Sequence, residues 1–445
     1  MSNSLQSIQN LLDLSLDFCR RNHVSLCIEK TKLQGMGPQS MAESMRYMKM
    51  TSHVNIKGTK LDFADEVEHV GIIRSVHGNN ANLLSRISSH KKAIGAVLHN
   101  GMARNHRGNP AASVSAEKLF GASVLFSGLG SLVLKNDEID LLDHYYSRTL
   151  QNLMRLHPNT PRCVTLFLAG SLPGRALLHL RQFSLFSMLI QLDGKPLKQL
   201  VCKMLTYSKP NSNSWFHQLR NLCLQYNLPH PLELVESPPS KGSFKALVKK
   251  HVLHYWERKL HAEADPLNLP SLHYFHPQFL SLAKPHQLWL TAGASAYQVT
   301  MALVQARMLS GRYRTERLAR FWSKNKSGCC LLPTCTGLKK SEDIEHILVH
   351  CGSLSTTRTG LILFTEKYGS DLPAVVKEIL STFCNLSRPN FVQFLLDCTV
   401  LPKVISAVQL HGECILNPLL RVTRSWCYSL HHERLKLLGR WTISR

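Results

Sequence analysis

Acidic side chains are scarce in this chain. Asp and Glu total 29 against 53 Lys and Arg, a formal net charge of +24. A surplus of that size points to a polyanionic partner, most often nucleic acid, because neutralised phosphates release counterions and supply sequence-independent affinity. The alternative is an ordinary surface that happens to be basic. Long apolar runs are missing as well: none approaches the roughly 18 to 20 residues of a membrane span, and no leader peptide opens the sequence. There is no Gly-x-Ser-x-Gly elbow, no phosphate-binding glycine loop and no dinucleotide fingerprint. No cluster of acids and lysines of the restriction-nuclease kind marks the tail. The 13 cysteines are odd in number and scattered, which argues against a disulfide framework and for a reducing, intracellular address. What is present is ample apolar content, 44% of 445 residues, which excludes wholesale disorder and is enough for two or three domains.

One constellation demands chemistry. The run Cys330-Leu-Leu-Pro-Thr-Cys335 is followed after ten residues by His346-Ile-Leu-Val-His-Cys351. Two thiols around a Pro, then an imidazole and a third thiol, suit the soft, tetrahedral preference of a structural Zn²⁺. Four residues separate His346 from Cys351, within finger-like spacing. Ser341-Glu-Asp is expected to cap a short helix there, with His346 and His350 on one face and Gly352 closing it. Cys329 or His350 is able to replace a neighbour as ligand, and the competing reading is that all are buried core residues. With four protein ligands the site is structural.

Periodicity predicts a predominantly α-helical chain with a small α/β segment at the N-terminus. An amphipathic helix spans 4–22, Val24 to Ile28 alternates as a strand, and 33–52 is a loop. Val54 to Ile56 and Val67 to Ile72 read as small strands around turns. Helices are expected over Leu83–Leu98, Ser115–Leu134, Glu138–His157, Leu177–Leu192 and Phe244–Ala262, then again up to Phe321 and over Leu419–Trp441. Pro/Ser/Asn-rich stretches at 205–215 and 228–242 read as loops. The corresponding division is 1–76, 77–204, a loop-rich helical connector 205–285, 286–355 with the metal module, and a helical tail 356–445.

The order of these pieces resembles the C-terminal part of a LINE-type, non-LTR retrotransposon reverse transcriptase. Lys30-Thr31-Lys32 is similar to the palm segment that follows the catalytic Asp-Asp turn, although Glu29 departs from the usual pattern. Glu68-His69-Val70-Gly71-Ile72 resembles the primer-grip hairpin, and Asn152 to Leu172 the thumb helix and its turn. Ala306 to Thr315 resembles the stretch before the family's Cys-Cys-His-Cys site, and Thr423 to Tyr428 with His431 to Trp441 one lineage's C-terminal end. The resemblance implies an RNA or RNA–DNA template–primer partner, no membrane and no small-molecule substrate, in the nucleus or a cytoplasmic ribonucleoprotein. It also places the paired catalytic aspartates upstream of Met1. Phe63-Ala64-Asp65-Glu66 comes after Lys30-Thr31 and reads as a solvated turn, so no polymerase activity is expected of this polypeptide by itself. Two further readings follow: an enzyme completed by upstream sequence, or a decayed reading frame.

Arg307, Arg312, Arg314, Arg317, Arg320, Lys324 and Lys326 lie with Tyr313, Phe321 and Trp322 on an expected helix leading into the metal site. Guanidiniums would pair phosphates and the rings would stack on unpaired bases; the alternative is a solvated face with its aromatics in the core. The tail basic residues Arg421, Arg424, Arg434, Lys436 and Arg440, beside Trp426 and Trp441, fit a helix core better. Lys91 and Lys92 fall where the family's thumb helix would meet the template–primer, an implication of the resemblance alone, as is Lys30.

Overall fold

The computed structural model describes residues 5–28, 31–34, 54–69, 72–75, 78–97, 108–191, 195–208, 214–267, 269–323, 327–369, 372–384 and 387–439. Lys30, Lys324, Lys326, Arg440 and Trp441 lie outside them, as do the side chains of His69, Phe321 and Trp322.

Helix α1 (Leu5–Arg21) lays Ile8, Leu12 and Leu16 over a small core of Val54, Ile56 and Leu61. Its 3.6-residue apolar spacing made this element readable. Among the described residues the strands form two antiparallel hairpins, β1 (Asn55–Ile56) with β2 (Thr59–Lys60), and β3 (Glu66–His69) with β4 (Ile72–Ser75). Lys57 and Gly58 both take positive φ, 49° and 81°, which a two-residue hairpin turn requires. The expected strand Val24–Ile28 is not formed. Among the described residues no neighbouring strand takes up its hydrogen bonds, and Val24 is exposed. Phe63 forms an isolated parallel bridge with Leu33, and the Asp65 carbonyl accepts from Gln34, so that segment is a structural turn.

The rest is helical and shares one continuous apolar core running from Leu83 to Leu430. Helix α2 (Asn80–Val97) is tied to β4 by Asn82, whose amide bonds both the N–H and the carbonyl of Ile73. The expected helix Ser115–Leu134 is broken. A helix at Pro110–Ala116 runs into a π turn at Glu117–Gly121, a short helix at Ala122–Leu125 and a 3-10 turn at Leu129–Ser131. Gly128 adopts φ 73° at that break. Helices α3 (Asn136–Leu153), α4 (Arg162–Ala169) and α5 (Gly174–Ile190) follow, and α5 packs along α6 (Lys241–Glu263). In the connector 205–285 the expected loop 228–242 holds Pro231–Glu236 as a helix, and Trp215–Gln225 forms another. Leu219, Leu222, Tyr226 and Trp256 of that stretch are buried in the shared core. Pro231 at the first helical position and the His230 cap explain why a Pro-rich stretch still starts a helix.

The C-terminal half centres on α11 (Leu416–Leu437). It packs against α7 (Ala296–Leu309), α9 (Ser355–Gly369) and α10 (Arg388–Asp397). Among the described residues, the stretch Arg388–His411 is long and apolar enough to cross a membrane by composition, which the sequence reading had excluded. It is interrupted by a 3-10 turn at Cys398–Val400 and buries Val392, Leu395, Leu396 and Val404 in the shared core.

Candidate metal centre

Cys330, Cys335, His346 and Cys351 are all buried, and their ligand atoms lie within 4.8 Å of one another. The Cys330 and Cys351 sulfurs are 3.9 Å apart, those of Cys335 and Cys351 3.8 Å, and Cys335 Sγ lies 3.6 Å from His346 Nε2. An ion held tetrahedrally by bonds of about 2.3 Å to sulfur and about 2.0 Å to imidazole has S···S edges of about 3.8 Å and S···N edges of about 3.6 Å. Those three edges fit one four-coordinate ion. No two sulfurs are near the roughly 2.05 Å of a disulfide.

Local backbone chemistry builds the cage. Residues 328–330 pair with 340–342 through Cys330 N–H to Lys340 O at 2.8 Å and Glu342 N–H to Gly328 O at 3.1 Å. Gly328 and Lys339 take positive φ at the two ends of this ribbon. Pro333 opens a 3-10 turn ending at Cys335, which points the second sulfur back at the first. The last two ligands come from a single π turn, His346–His350, closed by Cys351 N–H to His346 O at 2.7 Å. A π turn adds one residue to the loop, so His346 and Cys351 meet across it. The cap of this turn is Asp343, whose carboxylate accepts from the His346 N–H, and not Ser341, which is bridged to Cys329 in the ribbon. The expected common face of His346 and His350 is absent as well: His350 turns outward to Glu345 at 3.2 Å. Cys329 directs its sulfur at the Lys339 carbonyl. Neither alternative ligand reaches the cluster.

Burial drives the Cys330 and Cys351 thiols up and the His346 imidazole down, the neutral form that a ligand nitrogen needs. At Cys335 burial also pushes up, but the Gly352 N–H, the Thr334 hydroxyl and the two neighbouring thiols outweigh it, and its thiol is held below the ordinary value. Gly352 passes so close that a Cβ there would meet Thr334 Oγ1 at 2.8 Å. From α9, Arg358 donates to the Cys351 and Ile347 carbonyls, fixing the π turn and placing a cation beside the sulfurs. Three thiolates around a divalent ion carry one excess negative charge, which Arg358 offsets.

No local pattern marks the anchor beneath the cage. Glu342 takes a bidentate grip from Arg434 of α11, at 2.6 and 3.0 Å, with both side chains almost fully buried. Glu342 also accepts from the Glu316 N–H at the start of helix α8 (Glu316–Trp322). One carboxylate thereby joins ribbon, basic helix and C-terminal helix across 92 residues of sequence.

The basic set expected on one helix is divided among three elements. Arg307 ends α7 and donates to the Arg155 carbonyl, Arg312 and Arg314 lie in the connection, and Arg317 and Arg320 sit exposed on α8. Gly311 at φ 65° and the Thr315 cap force the break. Tyr313 belongs to the core and not to a stacking surface. It is 6% exposed, its hydroxyl meets His431 Nδ1 at 2.7 Å, and Arg434 lies over its ring. Arg317 pairs with Asp343 at 3.2 Å. Lys91 and Lys92 are exposed on α2, with Lys91 5.8 Å above the Tyr145 ring. In the tail, Arg424 and Trp426 are buried, Arg424 donating to Thr291 and Leu288 and Trp426 to Thr365.

No protein-family model, curated protein or solved structure matches this chain. The fold and site define a predominantly helical protein with one buried Cys₃His centre among its described residues.

Proposed function

We propose that this chain is a nucleic-acid-binding protein whose Cys₃His centre holds a structural Zn²⁺, and that it grips RNA or an RNA–DNA template–primer in the manner of the C-terminal part of a LINE-type reverse transcriptase without catalysing polymerisation itself. Thiolate-rich tetrahedral sites with four protein ligands favour zinc and leave no position for substrate.

The observation that carries the reading is a convergence of like charge. Arg148, Arg307 and Arg312 act together on His157, whose pKa is lowered first by burial and then by these three cations. Arg155, beside Arg307, is likewise depressed by burial and by that neighbour. The guanidiniums are fixed by carbonyls: Arg307 by Arg155, Arg155 by Gly108, Arg148 by Pro158. Those contacts orient the guanidiniums through neutral carbonyl oxygens. Arranging like charges this way costs stability and is repaid when a phosphate chain crosses them.

The test is fluorescence anisotropy of a labelled single-stranded RNA against salt. Affinity should fall steeply with salt. Arg148→Gln, Arg307→Gln and Arg312→Gln together should reduce the log–log slope by about 2, at about 0.7 per phosphate contact. An unchanged slope in a folded, metal-loaded triple variant would reject this surface.

A further inference from the structure

Helices α5 and α6 do not close completely against each other. Between them lies a partly open cavity of about 470 Å³, its far wall made by Lys118, Phe126 and the Gly170–Leu172 turn. Its interior is apolar and aromatic, from Phe126, Tyr146, Phe183, Phe244, Val248 and Leu282. The titratable groups lining it, apart from Tyr146, are all cations: Lys118, Arg181, Lys241, Lys245 and Lys249, with no carboxylate among them. Lys241, Lys245 and Lys249 recur every fourth residue of α6, so they share one face and line one side of the mouth. Arg181 comes from the opposing helix α5.

One half-buried cation points to an occupant. Lys118 reaches in from the π turn and gives two of its protons to the Ala169 and Gly170 carbonyls, at 3.2 and 2.6 Å. Burial lowers its pKa to about 8, a cost that a neighbouring anion would relieve. The volume is in the range of small-molecule sites, and an apolar body with a few convergent polar groups is their usual make-up.

We propose that this cavity binds one small anionic amphiphile per chain, an apolar chain or ring system carrying a carboxylate or phosphate head, with its body inside and its head at the cationic rim. Aliphatic stems of the rim lysines would cover the body while their ammonium groups meet the head. This site is separate from the metal centre and from the arginine cluster at His157, and the proposal stands without the nucleic-acid reading.

Isothermal titration of the full, zinc-loaded chain with dodecanoate, dodecyl phosphate and dodecanol, each below its aggregation threshold, tests it. At least one of the two anions should bind saturably at about one per chain, and dodecanol about tenfold or more weaker, the equivalent of one lost charge contact. The comparison of the two anions identifies the head. Lys245→Gln with Lys249→Gln should bring anion and alcohol affinities together. Ser184→Trp, at an exposed position on the mouth, should block all three ligands while leaving metal content and melting temperature unchanged. Equal binding of anion and alcohol, no saturable binding of any ligand, or full binding by a folded Ser184→Trp variant would each overturn the proposal. So would a Lys245→Gln, Lys249→Gln variant that loses RNA affinity yet retains dodecanoate, since the rim would then serve nucleic acid.

Discussion

At the scale of single residues, the metal centre separates what spacing can tell from what only geometry can. Spacing named the four ligands, because thiol and imidazole recur there at finger-like intervals. It left open whether Cys329 or His350 replaces a neighbour as ligand. That choice depends on a π turn and on the direction of one sulfur. The purified chain should carry about one zinc per molecule, and Cys335→Ser should release it, because three ligands bind far more weakly than four. Metal analysis by mass spectrometry decides this, and wild-type protein without stoichiometric zinc refutes it. Two other imidazoles make a separate prediction. His179 is lowered to about 3 by burial, and His431 to about 4 by burial and then by Arg434, Arg307 and His432. Each is neutral when folded, so the unfolded chain binds their protons more readily. Stability is therefore complete above roughly pH 6.5 and falls below it, by up to about 1.4 kcal/mol per pH unit for each histidine, until the folded pKa is reached. Acid would also strip a metal held by the Cys₃His cluster, so the informative comparison is between wild type and His179→Gln with His431→Gln. Urea midpoints at about pH 7.5 and about pH 5 should differ less in the double variant; an equal difference would show that these imidazoles do not set the acid limb.

At the scale of elements, the helices were legible wherever one apolar stripe faced one core, as in α1, α5 and α6. Legibility failed where the backbone obeyed a distant contact. Val24 to Ile28 alternates like a strand but has no partner strand among the described residues. Arg307 to Lys326 reads as one helix, yet Gly311 breaks it because the chain must pass the Ser271 carbonyl. A Cβ at residue 311 would sit 2.2 Å from that oxygen, with φ already at 65°. Gly311→Ala should accordingly cost at least about 1 kcal/mol in urea denaturation. A smaller loss would mean that the Thr315 cap alone sets the break. The Arg434–Glu342 pair that clamps α8 and the ribbon onto α11 left no trace in local pattern, since its partners are remote in sequence.

At the scale of the whole molecule, the surplus of 24 positive charges acts on folding and on binding with opposite signs. Self-repulsion raises the free energy of the compact state, and salt screens it over about 10 Å at 0.1 M. The same salt weakens attraction to a phosphate chain by removing the gain from counterion release. Raising salt from about 50 to 200 mM should therefore increase the melting temperature of the free chain. Over the same interval the stabilisation given by added RNA should shrink toward zero, because a ligand stabilises only in proportion to its binding. The two melting curves should converge. A free chain that loses stability with salt would mean that its cations are paired internally and stabilised by those pairs, and it would remove the electrostatic argument for a polyanionic partner. Convergence with the expected signs, weakened by the Arg148, Arg307 and Arg312 substitutions, would trace the effect to the arginine cluster at His157.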